Sequence, residues 1–190
     1  MPLPPLGGWA ASADFLLEVS RYAREIRPRV SVELGSGAST VVLGRVLQQL
    51  GDGHLYALDH DGRFAAKTRR LVEDHGLREY VTVLHASLVA PGDGPHPSWY
   101  CLDGLPDGEI DLLIVDGPPE TVAPMARYPA GPSLLPRLAR GGVVLVDDSL
   151  RPDEQEMIRR WRIEFPELEA TERLSRKGCT ILSRPQAPAS

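Results

Sequence analysis

Apolar positions along the chain follow two periods, which alternate from the N-terminus to the C-terminus. Phe15, Leu16, Val19 and Ile26 recur at helical spacing, as they do in an amphipathic helix with one buried face. The short run 110–115 is almost wholly apolar, which is typical of a strand covered on both faces. The pattern predicts helices over 12–26, 39–50, 61–76, 134–139 and from Pro152 onward, and strands over 30–34, 54–59, 81–85, 110–115, 143–146, 168–174 and 179–183.

Strands that alternate with helices predict an α/β fold with a mostly parallel sheet. The last two strands have no helix between them, so they must pair as an antiparallel hairpin. We therefore expect one domain over 1–184 with a seven-stranded sheet, in which residues 1–28 form a lead and a helix. Residues 185–190 are expected to form a loose tail.

Composition narrows the range of partners. The 190 residues carry a formal net charge of -5, which argues against a nucleic-acid partner or an anionic membrane surface. No apolar run is long enough to cross a bilayer, and the first residues lack the pattern of a signal peptide. Cys101 and Cys179 fit no metal-binding spacing, so we expect free thiols and a cytoplasmic protein.

The segment 30–40 is the most informative part of the chain. A β-branched strand ends in Glu33, and Gly35 and Gly37 follow before a helix begins. Glycine has no Cβ, so a ligand can lie against the backbone, and the free N–H groups of the next helix point to the same place. The carboxylate of Glu33 repels phosphate and suits hydroxyls or an amine. The turn therefore favours an adenosine with a charged amino-acid tail over a pyrophosphate.

Other polar residues follow the remaining parallel strands. Ligands bind beyond the carboxyl ends of such strands. Asp59, the pair Ala86-Ser87, Asp116 and the pair Asp147-Asp148 all occupy such positions. Asp59 can accept hydrogen bonds from both ribose hydroxyls of a nucleoside. Asp61 suits the cap of the next helix instead.

With these residues in place, the chain resembles the class I S-adenosylmethionine-dependent methyltransferases from Val30 to Ser183. Glu33-Leu-Gly-Ser-Gly37 resembles the first motif of that family, and Ile114-Val-Asp116 resembles its fourth-strand motif. The resemblance implies a Rossmann-like three-layer sandwich and S-adenosylmethionine as cofactor. The cofactor-binding residues that it implies are Glu33, Gly35, Ser36, Gly37, Ser39, Asp59, His60, Ala86, Ser87 and Asp116. Ser39 stands where many members carry a third glycine, and His60 either stacks beside the adenine or is a solvated loop residue.

The acids after the fourth and fifth long strands suggest a metal site. Three uncompensated carboxylates at neighbouring strand tips repel one another, and a hard divalent cation relieves that repulsion. Asp116, Asp147 and Asp148 resemble the acidic set of catechol and sugar O-methyltransferases, which implies Mg²⁺. In this hypothesis the cation lowers the pKa of a small-molecule hydroxyl, of a sugar or a phenol, and Asp116 or Asp147 takes the proton. The alternative is that Asp148 caps the Pro152 helix while Asp147 faces solvent.

Several alternatives stay open. A nicotinamide-linked oxidoreductase shares the layout, but its fingerprint needs a glycine at position 40, where this chain has Thr40. A non-catalytic cofactor-binding module is a second rival. Trp9 either covers the cofactor or anchors the terminus, and Trp99-Tyr100 form either a substrate wall or a loop anchor. Arg127 binds either an acceptor anion or a structural partner. The short chain makes a homodimer plausible.

Overall fold

A computed structural model describes residues 11–90, 97–173 and 175–186. The helices are α1 (Ala13–Ile26), α2 (Ala38–Leu50), α3 (Gly62–Asp74), α4 (Ala130–Leu134) and α5 (Pro152–Glu164). The strands are β1 (Val30–Leu34), β2 (His54–Asp59), β3 (Val81–His85), β4 (Leu88–Val89), β5 (Trp99–Tyr100), β6 (Ile110–Val115), β7 (Leu138–Asp147), β8 (Glu169–Arg173) and β9 (Cys179–Ser183). The hypothesis about Trp9 lies outside the described residues.

Seven strands form one sheet in the order β3-β2-β1-β6-β7-β9-β8. Five strands of this sheet, β3, β2, β1, β6 and β7, are parallel to one another, and β9 runs antiparallel to both of its neighbours. The predicted α/β fold and C-terminal hairpin are confirmed. The order places the carboxyl ends of β2, β1, β6 and β7 side by side, where the polar residues singled out in the sequence lie.

Two apolar layers cover the two faces of the sheet. The α1, α2 and α3 helices bury residues such as Phe15, Leu43 and Val72 on one face. On the other face α4, α5 and β5 contribute Trp161, Met157 and Tyr100. Covered strands explain why the predicted strand 110–115 reads as a continuous apolar run.

Side-chain caps fix where two of these helices begin. The Ser12 hydroxyl accepts a hydrogen bond from the Phe15 amide at 3.4 Å, and the Asp61 carboxylate accepts one from the Arg63 amide at 2.8 Å. Both residues are thus the N-caps expected from the sequence. Within the described residues no helix is both long enough and apolar enough to cross a membrane.

The prediction of a helix over 134–139 is wrong. The α4 helix ends at Leu134, a single 3₁₀ turn follows over Leu135–Arg137, and β7 begins at Leu138. Pro136 has no N–H to donate, so the regular helix cannot continue through it. The β7 strand is longer than predicted because its irregular start still pairs with β6, through Leu138 and Ile110.

Smaller differences also have physical reasons. The loop after β3 contains a separate two-stranded ribbon, β4 with β5, which is too short to produce a period in the sequence. The helical spacing of Phe64 with Thr68 and Val72 predicts that all three are buried on one face of α3, but Phe64 is 48% exposed, where it lines the cavity described below. The side chain of Gln186 lies against Gly141, so the expected tail begins in contact with the sheet, and residues after 186 lie outside the described part.

Candidate cofactor and metal site

A cavity of about 330 Å³ opens at the carboxyl ends of β1, β2 and β6. Five of the predicted cofactor-binding residues line it, namely Gly35, Ser36, Asp59, His60 and Asp116. The other described residues that line the cavity are Asp61, Phe64, Tyr100, Gly117, Pro119 and Thr121. Ala86 and Ser87 are not among these described residues. Instead the Ala86 amide donates to the Asp59 carbonyl at 2.8 Å, and the Ser87 carbonyl accepts from the Cys101 amide at 2.9 Å.

The two glycines of the turn after β1 differ in what surrounds them. Gly35 has a φ of 92°, and a Cβ there would lie 3.2 Å from the backbone carbon of Asp116. A glycine is therefore required by the backbone of the neighbouring strand as well as by the turn. Gly37 has no atom within 4 Å of where its Cβ would be, so that side of the turn is open to a ligand.

Glu33 lies beneath this turn and is fully buried. Its Oε2 accepts a hydrogen bond from the Thr40 hydroxyl, which in turn accepts one from the Gly37 amide at 2.8 Å. Burial raises the pKa of Glu33 to about 7, against the opposing effect of hydrogen bonds from Ser39 and Thr40. Its Oε1 has no hydrogen-bond partner among the described residues. Glu33 and the buried Ser39 thus support the turn from below rather than line the cavity.

Asp59 holds the opposite side of the turn. Its Oδ2 accepts hydrogen bonds from the amide and the hydroxyl of Ser36, at 3.2 and 2.8 Å, and its Oδ1 accepts one from the Asp61 amide at 3.0 Å. His60 Nδ1 lies 3.8 Å from Asp59 Oδ1. The carboxylate is nearly buried yet reaches the cavity, as a ribose-binding acid must.

Tyr100 contributes a buried hydroxyl to the cavity. The hydroxyl has no hydrogen-bond partner among the described residues, and a Cβ at Gly117 would lie 2.6 Å from it. The Tyr100 ring lies edge-on to His60, with 6.2 Å between ring centroids. Burial, followed by the charge of Asp59, raises the pKa of Tyr100 well above its ordinary value, so the phenol remains a hydrogen-bond donor. The sequence offered Trp99 and Tyr100 together as a wall, but only Tyr100 lines the cavity.

Three carboxylates meet beside the cavity. One oxygen each from Asp116, Asp147 and Asp148 lies within 4.8 Å of the others. Asp148 has a φ of 57°, and its amide donates to Asp147 Oδ1 at 2.8 Å. Asp147 Oδ2 and Asp148 Oδ1 are buried without a hydrogen-bond partner among the described residues. Burial and the neighbouring acids raise the pKa of Asp147 to about 6 and that of Asp116 well above its ordinary value.

Positive side chains compensate part of this charge. Arg127, almost fully buried, lies 3.0 Å from Asp148 Oδ2, 3.6 Å from Asp116 Oδ1 and 3.5 Å from Glu154 Oε1. Arg151 Nη1 lies 3.1 Å from Asp148 Oδ2, and Lys177 Nζ lies 3.5 Å from Asp148 Oδ1. The assumption that the three acids lack compensation is therefore wrong. Of the two roles considered for Arg127, the structure supports the structural ion pair.

The alternative reading of the acidic pair is also wrong. The N-cap of α5 is Arg151, without a side-chain hydrogen bond, so Asp148 does not cap that helix with its carboxylate. Asp147 is fully buried and does not face solvent. A cluster of three carboxylates, in which Asp147 Oδ2 is buried without a hydrogen-bond or ion-pair partner among the described residues, fits the oxygen ligands that a hard divalent cation prefers.

Comparison with known proteins agrees with the family that the sequence resembles. A family profile described as a methyltransferase domain matches residues 32–149, which is more than half of the chain. A comparison with curated protein sequences found no match.

Solved structures share the fold at low sequence identity. The Podospora anserina methyltransferase PaMTH1, bound to S-adenosylhomocysteine, is 16% identical with a TM-score of 0.70, over 94% of this chain and 81% of that one. The O-methyltransferase TomG of Streptomyces achromogenes, in complex with S-adenosylmethionine, is 20% identical with a TM-score of 0.67, over 93% and 82%. An O-methyltransferase of Bacillus cereus, in complex with S-adenosylhomocysteine, is 16% identical with a TM-score of 0.69, over 94% and 84%. The chain belongs to the methyltransferase-domain family, with the fold of the class I S-adenosylmethionine-dependent enzymes.

Proposed function

We propose that this methyltransferase methylates a hydroxyl of a small molecule, such as a sugar or a phenol, with the assistance of a divalent cation, Mg²⁺ being expected. One observation carries the proposal. Asp116 both lines the cofactor cavity and belongs to the three-carboxylate cluster. A metal site that shares a residue with the methyl-donor site brings the hydroxyl and the methyl group together, and such positioning supplies much of the rate enhancement in a two-reactant transfer.

The cavity suits the methyl donor in chemical terms. Asp59 offers carboxylate oxygens to ribose hydroxyls, and the open side of Gly37 leaves room for the amino-acid tail. Tyr100 lines the cavity, and its hydroxyl has no hydrogen-bond partner among the described residues. The solved structures with this fold that hold S-adenosylmethionine or S-adenosylhomocysteine support the same ligand.

Asp116, Asp147 and Asp148 would hold the cation, which when bound lowers the pKa of a hydroxyl group. The acceptor oxygen then forms a bond to the sulfonium methyl carbon as the carbon–sulfur bond breaks, leaving S-adenosylhomocysteine. The hydroxyl proton passes to a carboxylate, either Asp147 at its unpartnered Oδ2 or Asp116. Burial and the charge of Asp148 raise the pKa of Asp147 to about 6, which still leaves its carboxylate mostly ionised at neutral pH, as a metal ligand or a proton acceptor must be.

The rival functions lack a supporting observation in this structure. Thr40 occupies the position of a dehydrogenase glycine, and its hydroxyl binds Glu33. A non-catalytic module would not need three acids beside its cofactor. Both cysteines are free thiols, which agrees with a reducing compartment. Cytoplasmic location and a homodimer stay predictions.

One calorimetric experiment in two stages tests the proposal. S-adenosylhomocysteine is titrated into the wild type, Asp147→Asn and the exposed control Asp74→Asn, and Mn²⁺, as a substitute for Mg²⁺, is titrated into each complex. We expect all three proteins to bind S-adenosylhomocysteine alike, and Asp147→Asn to lose at least about tenfold in Mn²⁺ affinity. Binding of NAD in place of S-adenosylhomocysteine would overturn the assignment of S-adenosylmethionine as the cofactor. Equal Mn²⁺ binding by the wild type and Asp147→Asn would overturn the metal site.

A further inference from the structure

A second and larger concavity, of about 470 Å³, lies between α5 and the C-terminal hairpin. Its walls come from one side of α5, from the β8 and β9 strands, and from the segment that follows Asp148. None of its described lining residues belongs to the cofactor cavity. We call this concavity the α5 groove.

The α5 groove is rich in positive charge. Among its described lining residues are three arginines, Arg159, Arg162 and Arg173, and one acid, Glu172. Arg159 pairs with Glu156 at 2.7 Å, and Arg173 lies 3.9 Å from Glu18. Arg162 has no ion-pair partner among the described residues. An unpaired guanidinium offers planar donors that match the oxygens of a carboxylate or phosphate.

A buried hydroxyl adds a second polar feature. Ser175 Oγ is inaccessible to solvent and has no hydrogen-bond partner among the described residues, although Ser175 lines the groove. Buried hydroxyls are seldom left without a partner. Because Ser175 Oγ is inaccessible to solvent, an oxygen of a ligand in the α5 groove can reach it only if the surrounding side chains move aside.

The groove also has an apolar part. Leu150, which is 61% exposed, and the buried residues Ile158 and Cys179 are among its lining residues. Burial raises the pKa of the Cys179 thiol to about 12, so that side chain is neutral and packs as a small apolar group. The groove thus combines an apolar wall with a cationic one, as a binding site for an organic anion would.

Two residues that line the α5 groove directly follow the acidic pair of the three-carboxylate cluster in the sequence. Ser149 and Leu150 directly follow Asp148, and their amides donate to the carbonyls of Gly178 at 3.3 Å and Lys177 at 3.1 Å. The hairpin turn is therefore fixed to the same segment that positions Asp148. Helical rise of about 1.5 Å per residue places Arg159 and Arg162 roughly 10 to 15 Å along α5 from Pro152.

We infer that the α5 groove binds the anionic end of the acceptor, a carboxylate or phosphate ester on an apolar body, while the hydroxyl to be methylated lies at the carboxylate cluster. This inference rests on the proposed function, because that function places the hydroxyl to be methylated at the carboxylate cluster. It narrows the acceptor class from any small hydroxyl compound to an amphipathic organic anion.

The test uses amide NMR titrations with three probes, phenyl phosphate, benzoate and neutral phenol. We expect the two anions to shift amides of Leu150, Gly178 and Thr180, and phenol to bind far more weakly. Arg162→Gln should weaken binding of the better anion at least about fivefold, which is the effect of one charge-assisted contact. The matched control is Arg160→Gln on the same helix, because Arg160 pairs with Glu156 and lies outside the groove. Its affinity should stay within about twofold of the wild type.

The outcomes separate the two proposals. Tighter binding of phenyl phosphate indicates a phosphate ester, and tighter binding of benzoate indicates a carboxylate. Equal anion affinity in the wild type and Arg162→Gln, or phenol binding as tightly as the anions, would overturn the inference that the α5 groove binds an anion. If the groove binds anions while the wild type fails to bind S-adenosylhomocysteine, the proposed function and the acceptor assignment fall together, and an anion site remains.

Discussion

Glu33 shows how the environment of one residue changes its chemistry. From the sequence its carboxylate was expected to repel phosphate and to suit hydroxyls or an amine of the ligand. In the structure it is fully buried beneath the turn, where the Thr40 hydroxyl binds one of its oxygens. Burial favours the neutral acid and raises the pKa of Glu33 to about 7. Near neutral pH the residue is therefore divided between a charged and a neutral form.

This shift predicts a pH effect on stability. Between the unfolded pKa of 4.5 and the folded pKa of about 7, the folded protein holds a proton that the unfolded chain has released. Raising the pH across this window therefore lowers the free energy of unfolding. Residue 33 cannot titrate in Glu33→Gln. Between about pH 5 and pH 8, the free energy of unfolding should therefore fall less in this variant than in the wild type, by up to about 3 kcal/mol. Urea unfolding of both proteins at several pH values measures the difference, and identical pH profiles would contradict it.

At the scale of elements, the packing of α4 on α5 depends on a glycine. A Cβ at Gly131 would overlap the indole nitrogen of Trp161, which donates to the Tyr128 carbonyl at 3.0 Å. Trp161 is fully buried in the second apolar layer and has no room to move. Gly131→Ala should therefore lower the free energy of unfolding by about 1–3 kcal/mol through overpacking.

Urea unfolding compares this variant with Gly37→Ala, in which the added methyl meets no atom within 4 Å. The Gly37 variant should keep the stability of the wild type, apart from a small contribution from backbone entropy. Gly131→Ala as stable as Gly37→Ala would mean that α4 can shift away from Trp161 at no cost.

Elements with a strong period were predictable from the sequence, and short or irregular ones were not. Four of the five parallel strands, β1, β2, β6 and β7, end at a glycine or an acid, and β1 and β6 have the predicted bounds. The two-residue strands of the β4–β5 ribbon carry no period. The α4 helix, with five residues, is too short to show one and was placed too late in the chain.

In the candidate site, too, some features were predictable from the sequence and others were not. Asp59, Asp116 and Asp147 were identified because parallel strands deliver their last residues to one edge of the sheet. The ion pairs of Arg127 join residues from different elements, so their pairing depends on the sheet order rather than on any local pattern. Lys177 reaches Asp148 only because the hairpin folds back beside β7.

At the scale of the whole molecule, the carboxyl ends of the central strands carry the candidate site, and none of the described residues of that site lies on the outermost strand β8. The β1, β2 and β6 tips line the cofactor cavity, and β6 and β7 supply the carboxylate cluster. The β8 strand is one of the two outermost strands of the sheet, and all five of its residues are exposed. Edge strands with exposed backbone groups open readily, whereas buried central strands open only with global unfolding.

Hydrogen–deuterium exchange should therefore map the cofactor onto the fold. Without ligand, amides of β6 should exchange slowest and those of β8 among the fastest. S-adenosylhomocysteine should slow exchange in peptides that contain Gly35 to Gly37 and Asp59 to Phe64, because bound cofactor stabilises the backbone that surrounds the cavity. Exchange in β8 should not change, since that strand lies two strands beyond β7, away from the cavity. Protection that appears in β8 but not in the turn after β1 would place the cofactor elsewhere on the molecule.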